Sequence, residues 1–181
     1  SAEFQFAAWG LSIVHPTGYP LYLILAHLFT LLPFGDVAFR VNLFSAVVSA
    51  LAVGFVYLAA RALLADERPT SNDQRLTALL AALTFAVTPT FWHQAVAAEV
   101  YALNTLFVAL IVWLALRPDP SGFRNPKGLA LFALVIGLSL AHHRSIVLLL
   151  GVILVVLGAE ALRRDPSGFR NPKRLARPFA W

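Results

Sequence analysis

The fold is decided by the stretch VAFRVNLFSAVVSALAVGFVYLAARALL, which runs from Val37 to Leu64 and carries only two charged side chains, both arginines. An α-helix rises about 1.5 Å per residue, so this stretch makes a helix of about 42 Å, whereas the hydrocarbon core of a bilayer is roughly 30 Å thick. The sequence therefore predicts a tilted membrane-spanning helix.

Four more apolar runs follow along the chain, and three of them meet the roughly 17 to 25 residues that a membrane span requires. The run Gly128 to Ala141 is marginal and could cross if His142 and His143 lie at the interface. The last two together are too long for one straight helix, so we expect a helical hairpin that turns at His142 to Ser145. The four runs are Leu76 to Trp92, Val100 to Leu116, Gly128 to Ala141 and Ile146 to Leu162.

A shorter apolar run, from Pro20 to Leu32, has only 13 residues and is predicted to be a re-entrant or interfacial helix. The fold class is then all-α: a polytopic transmembrane helical bundle of about five spans, preceded by N-terminal interfacial helices. We divide the chain into an external catalytic-loop region (1–35), the bundle (36–162) and a basic cytoplasmic loop (163–181) that leads to a further helix. Since the chain has no starting Met, we expect it to be a piece of a longer protein.

The composition also indicates a membrane protein: 59% of residues are hydrophobic, 13% are charged and the mean hydropathy is +0.74, whereas soluble domains are about one quarter charged. The net charge of +5 does not indicate nucleic-acid binding, because the basic residues are confined to short loops between apolar runs. With no cysteine, the chain has no thiolate metal ligand.

Loop charge predicts the orientation. With the spans above, 12 of the 14 basic residues lie at one face, which the positive-inside rule makes cytoplasmic. Arg40 and Arg144 lie at the other face, together with all five histidines. The 12 are Arg61, Arg68, Arg75, Arg117, Arg124, Lys127, Arg163, Arg164, Arg170, Lys173, Arg174 and Arg177.

One motif is repeated: DPSGFRNPK occurs at Asp119 to Lys127 and again at Asp165 to Lys173. Asp-Pro, Ser-Gly and Asn-Pro are turn formers, so the first interpretation is a duplicated cytoplasmic turn. The alternative is a basic contact for anionic lipid head groups.

Polar groups at membrane depth are costly, so those at the non-cytoplasmic face are candidates for function. Carboxylates at such a face can take a proton from a substrate, and cations can stabilise negative charge. Arg40 and Arg144 are the two basic side chains at this face, and at least one is expected to bind an anionic group such as a phosphate. Each could instead be an interfacial anchor, and Arg40 could pair with Asp36.

Two carboxylates are the catalytic candidates, Glu3 and Glu99. Glu3 could be a second acid or could orient the acceptor, or be a solvated loop residue. Glu99 could instead cap the helix that follows it, because a carboxylate is favoured at a helix N-terminus. The predicted substrate-binding residues are His15, Tyr19, Arg40, His93, Tyr101, Asn104, His142, His143 and Arg144.

Several of these residues have structural alternatives. Tyr19 and Tyr101 could be interfacial anchors and His15 could be part of a turn. Adjacent residues on a helix point about 100° apart, so His142 and His143 make a poor metal site. His93 and Glu99 lack a standard metal spacing. We expect no certain cofactor, and a divalent metal is left open.

The chain resembles the GT-C superfamily of membrane glycosyltransferases, and within it the transmembrane protein O-mannosyltransferase branch. The resemblance is carried by His-Pro-x-Gly-Tyr-Pro-Leu at His15 to Leu21, FRVNLFSA (Phe39 to Ala46), TPTFWHQAVAAEVYALN (Thr88 to Asn104) and GLSLAHHRS (Gly137 to Ser145). It extends from Ser1 to about Leu162.

The resemblance implies an enzyme that uses a polyprenyl-phosphate sugar, with its active site in the first external loop and at the external helix ends. It also implies a loop pattern similar to Asp-Ser-Gly-Glu, in which the Asp is the base. Ser1-Ala2-Glu3 matches the end of that pattern, with Ala2 in place of Gly. The base would therefore precede Ser1.

The sequence thus favours a glycosyltransferase that moves a sugar, mannose in particular, from a polyprenyl phosphate to a protein or glycan hydroxyl at the non-cytoplasmic face. Membrane lipid is the expected surrounding, and nucleic acid is not an expected partner. The alternatives are a transporter or flippase of lipid-linked sugar, which would use broken helices at the midplane, and a structural subunit that binds lipid.

Overall fold

The computed structural model describes residues 2–16, 18–65, 72–117, 125–152 and 154, and within them every regular element is helical. This confirms the all-α prediction for the described residues. The chain forms two compact units, Ser1–Arg144 and Ser145–Trp181. The first contains α1 (Ala2–Gly10), α2 (Pro20–Thr30), α3 (Val37–Leu64), α4 (Asn72–Ala86), α5 (Pro89–Ala95), α6 (Val100–Leu116) and α7 (Pro126–His142). In the second, residues 146–152 are helical.

Helix α3 is the centre of the first unit, because it packs against α1, α2, α4, α5 and α6. Its buried face carries small side chains at helical spacing, among them Ser45, Ser49 and Ala52. Small residues let neighbouring helix backbones approach closely. The contact of α3 with α6 is the most extensive, and α6 in turn packs against α7.

Among the described residues, α3 is the helix that is by itself long and apolar enough to cross a membrane. Helices α2, α6 and α7 are apolar but shorter, with 11, 17 and 17 residues. Large apolar side chains are exposed along the helices, for example Leu51 on α3, Leu83 on α4 and Leu134 on α7. Exposed apolar faces of this kind are typical of surfaces that lie against lipid or another protein.

The run Leu76 to Trp92 does not form the single helix that its composition predicts. Helix α4 ends at Ala86, and α5 starts at Pro89 with a bend of 70° between them. Pro89 lacks an N–H group and disfavours the helical conformation of the residue before it, and Thr88 is accordingly extended, with ψ 136°. The run predicted as one helix is therefore a helix pair broken at a proline.

The DPSGFRNPK repeat lies almost entirely outside the described residues, as does the predicted span beyond residue 154. What is described of the first copy is its end, where Asn125 caps α7. Its side-chain oxygen accepts the backbone N–H of Lys127 at 3.1 Å, and Pro126 occupies the first turn, where its missing N–H is not needed.

Helices α1 and α2 are attached to this frame by side-chain hydrogen bonds. Gln5 on α1 donates to Asn42 on α3 at 3.2 Å. His27 Nδ1 lies 2.8 Å from the carbonyl oxygen of Ala8, and because a carbonyl only accepts, this ring nitrogen donates. The first bond attaches α1 to α3, and the second attaches α2 to α1.

The loop between α2 and α3 is closed by a glycine and a cap. Gly35 has φ +69°, and a Cβ atom built on it would lie 2.6 Å from Phe39 Cδ1. The next residue, Asp36, accepts the backbone N–H of Phe39 at 2.7 Å and so starts α3.

We therefore predict that Gly35→Ala destabilises the full-length protein by about 1 to 3 kcal/mol, because it combines left-handed backbone strain with a steric clash. Thermal unfolding in detergent measures the effect. Gly54→Ala is the matched control, since that glycine lies within α3 with nothing within 4 Å of the added carbon. Equal unfolding midpoints for the two variants would contradict this account of the loop.

Candidate functional site

Glu3 and His15 form a clasp between α1 and the loop that precedes α2. One oxygen of the Glu3 carboxylate accepts the backbone N–H of His15 at 2.8 Å, and the other lies 2.9 Å from His15 Nδ1. Both side chains are about half exposed, at 50% and 53%. The bond from the His15 backbone, followed by the bond from its ring, holds the pKa of Glu3 below its ordinary value of 4.5.

The turn after His15 directs the chain into α2. The N–H of Gly18 donates to the His15 carbonyl oxygen at 2.9 Å, and Gly18 has φ +81°. Tyr19, the N-cap of α2, is also left-handed, with φ 43°, which is uncommon for a non-glycine residue. Pro20 then begins the helix. This strained N-cap conformation places the Tyr19 ring among the histidines.

Five rings from four parts of the first unit form what we call the ring cluster: His15, Tyr19, Tyr101, His142 and His143. The Tyr19 ring lies 5.9 Å from that of His15 and is stacked on His143 at 6.1 Å with an interplanar angle of 24°. Tyr101 lies 6.1 Å from His143, and His142 lies 6.2 Å from Tyr19. The structure thus brings together five of the predicted site residues.

His142 connects the end of α7 to the start of α6. Its Nε2 lies 3.0 Å from the carbonyl oxygen of Val100, so Nε2 is the protonated nitrogen of this bond. The side chain is 1% exposed, and its Nδ1 finds no hydrogen-bond partner among the described residues. An unprotonated ring nitrogen of this kind can accept one more hydrogen bond.

The start of α6 borders the ring cluster. Glu99 occupies the N-cap position, directly before Val100, but its side chain makes no capping hydrogen bond. Tyr101 and Asn104 are three residues apart and therefore lie on one face of α6. Asn104 Oδ1 is buried without a hydrogen-bond partner in the described part of the chain.

Beside Tyr101 lies a cavity of about 330 Å³ between the bent α4–α5 pair and α6. Phe85 and Phe91 supply apolar surface, and Gln94 contributes a buried side-chain oxygen that has no partner within the described ranges. The hydroxyl of Thr105, which also lines the cavity, donates to the Tyr101 carbonyl, so this hydroxyl hydrogen is already used.

Other predicted site residues lie elsewhere. His93 is exposed on α5 and is not part of the ring cluster. Arg40 donates three hydrogen bonds, from Nε to Phe34, from Nη1 to Thr30 and from Nη2 to Gly35, each to a backbone carbonyl oxygen at 2.7 to 2.8 Å. This geometry favours a structural role for Arg40. Its partners are backbone carbonyls and not the Asp36 carboxylate that the sequence suggested.

Arg144 differs from Arg40. It follows His143 directly, is exposed, and engages no carboxylate or carbonyl group in the described part of the chain. Within those same residues, no three His, Cys, Asp or Glu side chains are grouped so that they could hold a metal ion.

The sequence reasoning missed Phe4. Its ring makes edge-to-face contacts with His15 at 5.7 Å and Tyr19 at 5.8 Å, and it is 3% exposed. Phe4 therefore packs against the rings of His15 and Tyr19. Its position next to Glu3 in an apolar helix is the only sequence signal that could have identified it.

The contacts of Arg40 predict that Arg40→Lys lowers the unfolding midpoint of the full-length protein in detergent. One ammonium group cannot reach three separate carbonyls, and each lost hydrogen bond costs about 1 kcal/mol. Arg144→Lys is the matched control and is expected to unfold like the wild type. An unchanged midpoint for Arg40→Lys would refute the structural role.

The depressed pKa of Glu3 predicts how the clasp depends on pH. Because this pKa is lower in the folded state, the clasp contributes its full stability above the ordinary value of 4.5 and loses it as pH falls through the depressed pKa. Hydrogen exchange of the His15 amide, corrected for its intrinsic rate, should show this loss of protection. The Leu129 amide, which donates to the backbone carbonyl of Asn125 at the start of α7, serves as the control and should not follow the same titration.

Comparisons with known proteins relate this chain to a named family. The chain is 36% identical over 151 residues to the mouse (Mus musculus) protein named Protein O-mannosyl-transferase TMEM260. The aligned region covers 82% of this chain and 20% of the relative. It is 26% identical over 117 residues to the Dictyostelium discoideum protein of the same name, with coverage of 63% and 13%. The chain therefore spans a fifth or less of these relatives' lengths. No solved structure matches it.

A family model, described as the Protein O-mannosyl-transferase TMEM260 N-terminal domain, matches residues 1–164. The match includes Glu3, the whole ring cluster and the cavity beside Tyr101. Since it covers most of the sequence, the chain belongs to the protein O-mannosyl-transferase TMEM260 family, through its N-terminal domain.

Proposed function

We propose that this chain belongs to a membrane glycosyltransferase of the GT-C type, which transfers mannose from a polyprenyl-phosphate donor to a protein hydroxyl at the non-cytoplasmic face. The relatives' name supports mannosyl transfer to a protein. The observation that carries the proposal is the ring cluster, which joins the Glu3–His15 clasp to the ends of α6 and α7.

The ring cluster has the groups that sugar transfer requires. An acceptor hydroxyl must be oriented and deprotonated as the bond to the sugar forms, which suits carboxylate and imidazole groups. Glu3 and His15 supply both at an exposed position. Glu99 borders the same cluster, and by the family pattern the base itself is an Asp that precedes Ser1.

The leaving phosphate requires a cation, and Arg144 is the better candidate of the two arginines. Arg40 already donates to three carbonyls, whereas Arg144 is exposed beside His143 and uncommitted in the described part of the chain. A guanidinium group can bind a phosphate through two parallel hydrogen bonds. We therefore assign Arg144 to the phosphate and Arg40 to the fold.

The lipid part of the donor requires an apolar surface next to the cluster. The cavity lined by Phe85, Phe91 and Tyr101 meets this requirement, because the Tyr101 ring contacts His143 on the cluster side and also lines the cavity. We propose that the isoprenoid units nearest the phosphate lie there, and that Gln94 and Asn104 contact polar atoms of the donor.

The proposed topology keeps about five crossings, with the basic loops in the cytoplasm. Helices α6 and α7 would each be about 26 Å long, which is close to the hydrocarbon thickness when polar residues at their ends extend into the interface. Helix α2, with 11 residues, is too short to cross and is assigned to the interface.

A transporter or flippase of lipid-linked sugar is the second candidate, and one observation favours it. The α4–α5 pair is bent by 70°, and broken helices line the binding sites of many transporters. The break also forms one wall of the cavity beside Tyr101, which a flippase could use without chemistry.

Reconstitution separates these functions. Full-length protein in liposomes is given polyprenyl-phosphate mannose with a labelled sugar, and an acceptor protein extract outside. Labelled protein together with free polyprenyl phosphate supports the transferase. Label that crosses the bilayer still attached to its lipid, with no labelled protein, contradicts it and supports the flippase.

In this assay we expect Arg144→Gln to lower kcat/KM for the donor by about ten- to a hundredfold, since a hydrogen bond to a charged group contributes about 1.5 to 3 kcal/mol. Lys127→Gln removes the same charge from the opposite end of α7 and is expected to leave kcat/KM unchanged. Equal effects of the two substitutions would show that only net charge matters and would remove Arg144 from the phosphate site.

A further inference from the structure

Both oxygens of the Glu3 carboxylate are used by a single residue. Oε1 accepts the His15 backbone N–H and Oε2 lies 2.9 Å from His15 Nδ1. A carboxylate held in this way orients the imidazole ring of His15. The contact therefore determines what the other nitrogen of the His15 ring can do.

The tautomer of His15 follows from this contact. An ionised carboxylate can only accept hydrogen bonds, so His15 Nδ1 carries the proton that lies between them. In the neutral ring, Nε2 then carries the lone pair. No group in the described part of the chain bonds to Nε2, and the side chain is 53% exposed.

Two neighbouring aromatic rings also restrict the orientation of the His15 ring. Phe4 contacts it edge to face at 5.7 Å with an interplanar angle of 74°, and Tyr19 does so at 5.9 Å with 70°. With the backbone of His15 also bound to Glu3, the ring has little freedom to turn. Nε2 is thus a preorganised hydrogen-bond acceptor at the edge of the ring cluster.

We propose that Glu3 is a positioning residue for His15, and that His15 Nε2 accepts a hydrogen bond from a substrate hydroxyl. The inference rests on the proposed transferase function and gives Glu3 and His15 separate roles within it. A hydroxyl is the matching group, because the lone pair of a neutral ring nitrogen accepts a hydrogen bond from an O–H donor. A phosphate is ionised at neutral pH and has few O–H groups to donate. The hydroxyl belongs either to the protein acceptor or to the sugar of the donor.

Two isosteric substitutions in the full-length protein test the role of Nε2. The amide nitrogen of His15→Asn lies near the Nδ1 position, so this variant keeps the bond to Glu3 but loses Nε2. The amide of His15→Gln lies near the Nε2 position and loses the bond to Glu3. We expect kcat/KM to fall about tenfold in His15→Asn and less in His15→Gln. The reverse order would show that His15 serves the loop alone and would overturn the proposal.

A double-mutant cycle tests the positioning role of Glu3. If Glu3 acts through His15, Glu3→Ala lowers activity in the wild type but adds little once His15→Asn is present. Additive losses would mean that Glu3 acts by a route other than the His15 ring, either through the loop or on the substrate itself, and would overturn the positioning role. Gln5→Ala is the matched control, because it removes a tertiary bond of the same helix without touching His15.

Histidine labelling provides a readout that does not need turnover. In the wild type, diethyl pyrocarbonate should modify His15 at one nitrogen only, and Glu3→Ala should allow modification at both, as detected by mass spectrometry. Equal double modification of His15 in both proteins would overturn the clasp. If labelling behaves as expected while the liposome assay shows no transfer, the proposed function fails and the clasp remains.

Substrate protection identifies the hydroxyl. Protection of His15 by a serine- and threonine-rich peptide alone assigns Nε2 to the acceptor, whereas protection by polyprenyl-phosphate mannose alone assigns it to the sugar. Absence of protection by either, alone or combined, would overturn the hydroxyl contact. His27, which is bonded to the Ala8 carbonyl away from the ring cluster, is the internal control and should label equally in every sample.

Discussion

The Glu3 carboxylate accepts two hydrogen bonds from a residue twelve positions later in the chain, and the arrangement of the N-terminal region depends on this contact. It fixes the position of His15 in the loop between α1 and α2. The turn at Gly18 and the left-handed Tyr19 therefore start from a fixed residue. Because Tyr19 stacks on His143, the clasp also fixes the N-terminal helices relative to the end of α7. A local bond thereby brings distant residues together.

The ring cluster forms where helices end, and this location has a physical reason. Helix ends expose backbone groups that need partners, so polar side chains are less costly there than along a helix in lipid. His142 shows the principle, since it ends α7 and donates to the carbonyl of Val100 at the first turn of α6.

The sequence predicts the helices well where composition alone determines them. The runs Val37 to Leu64 and Val100 to Leu116 coincide with α3 and α6, because both are long and end at caps or polar loops. The break before Pro89 was missed, because an apolar run shows which residues avoid water and does not show where the backbone bends. Proline acts on the backbone, so its effect does not appear in a hydropathy pattern.

For the site, the sequence could predict which residues share a face but not which of them touch. Loop charge grouped Glu3, His15 and the histidine pair at one face, and the structure places them in one cluster of contacts. The bond from His142 to Val100 joins residues 42 positions apart, so no local pattern contains it. Contacts of this range depend on how α6 and α7 pack, which spacing rules do not determine.

The two arginines of that face show most clearly why residue type does not determine role. Both were equal candidates for phosphate, and Arg40 has the right chemistry, yet three of its five N–H donors are bonded to the carbonyls at the end of α2 and in the loop after it. These carbonyl oxygens can accept from Arg40 because Pro33 and Gly35 prevent the helix from continuing, so the oxygens have no helical hydrogen-bond partner. Arg144 follows α7, which ends at His142. Its side chain is bonded to no backbone carbonyl in the described residues. The difference lies in the backbone beside each guanidinium, and residue type alone therefore does not separate the two arginines.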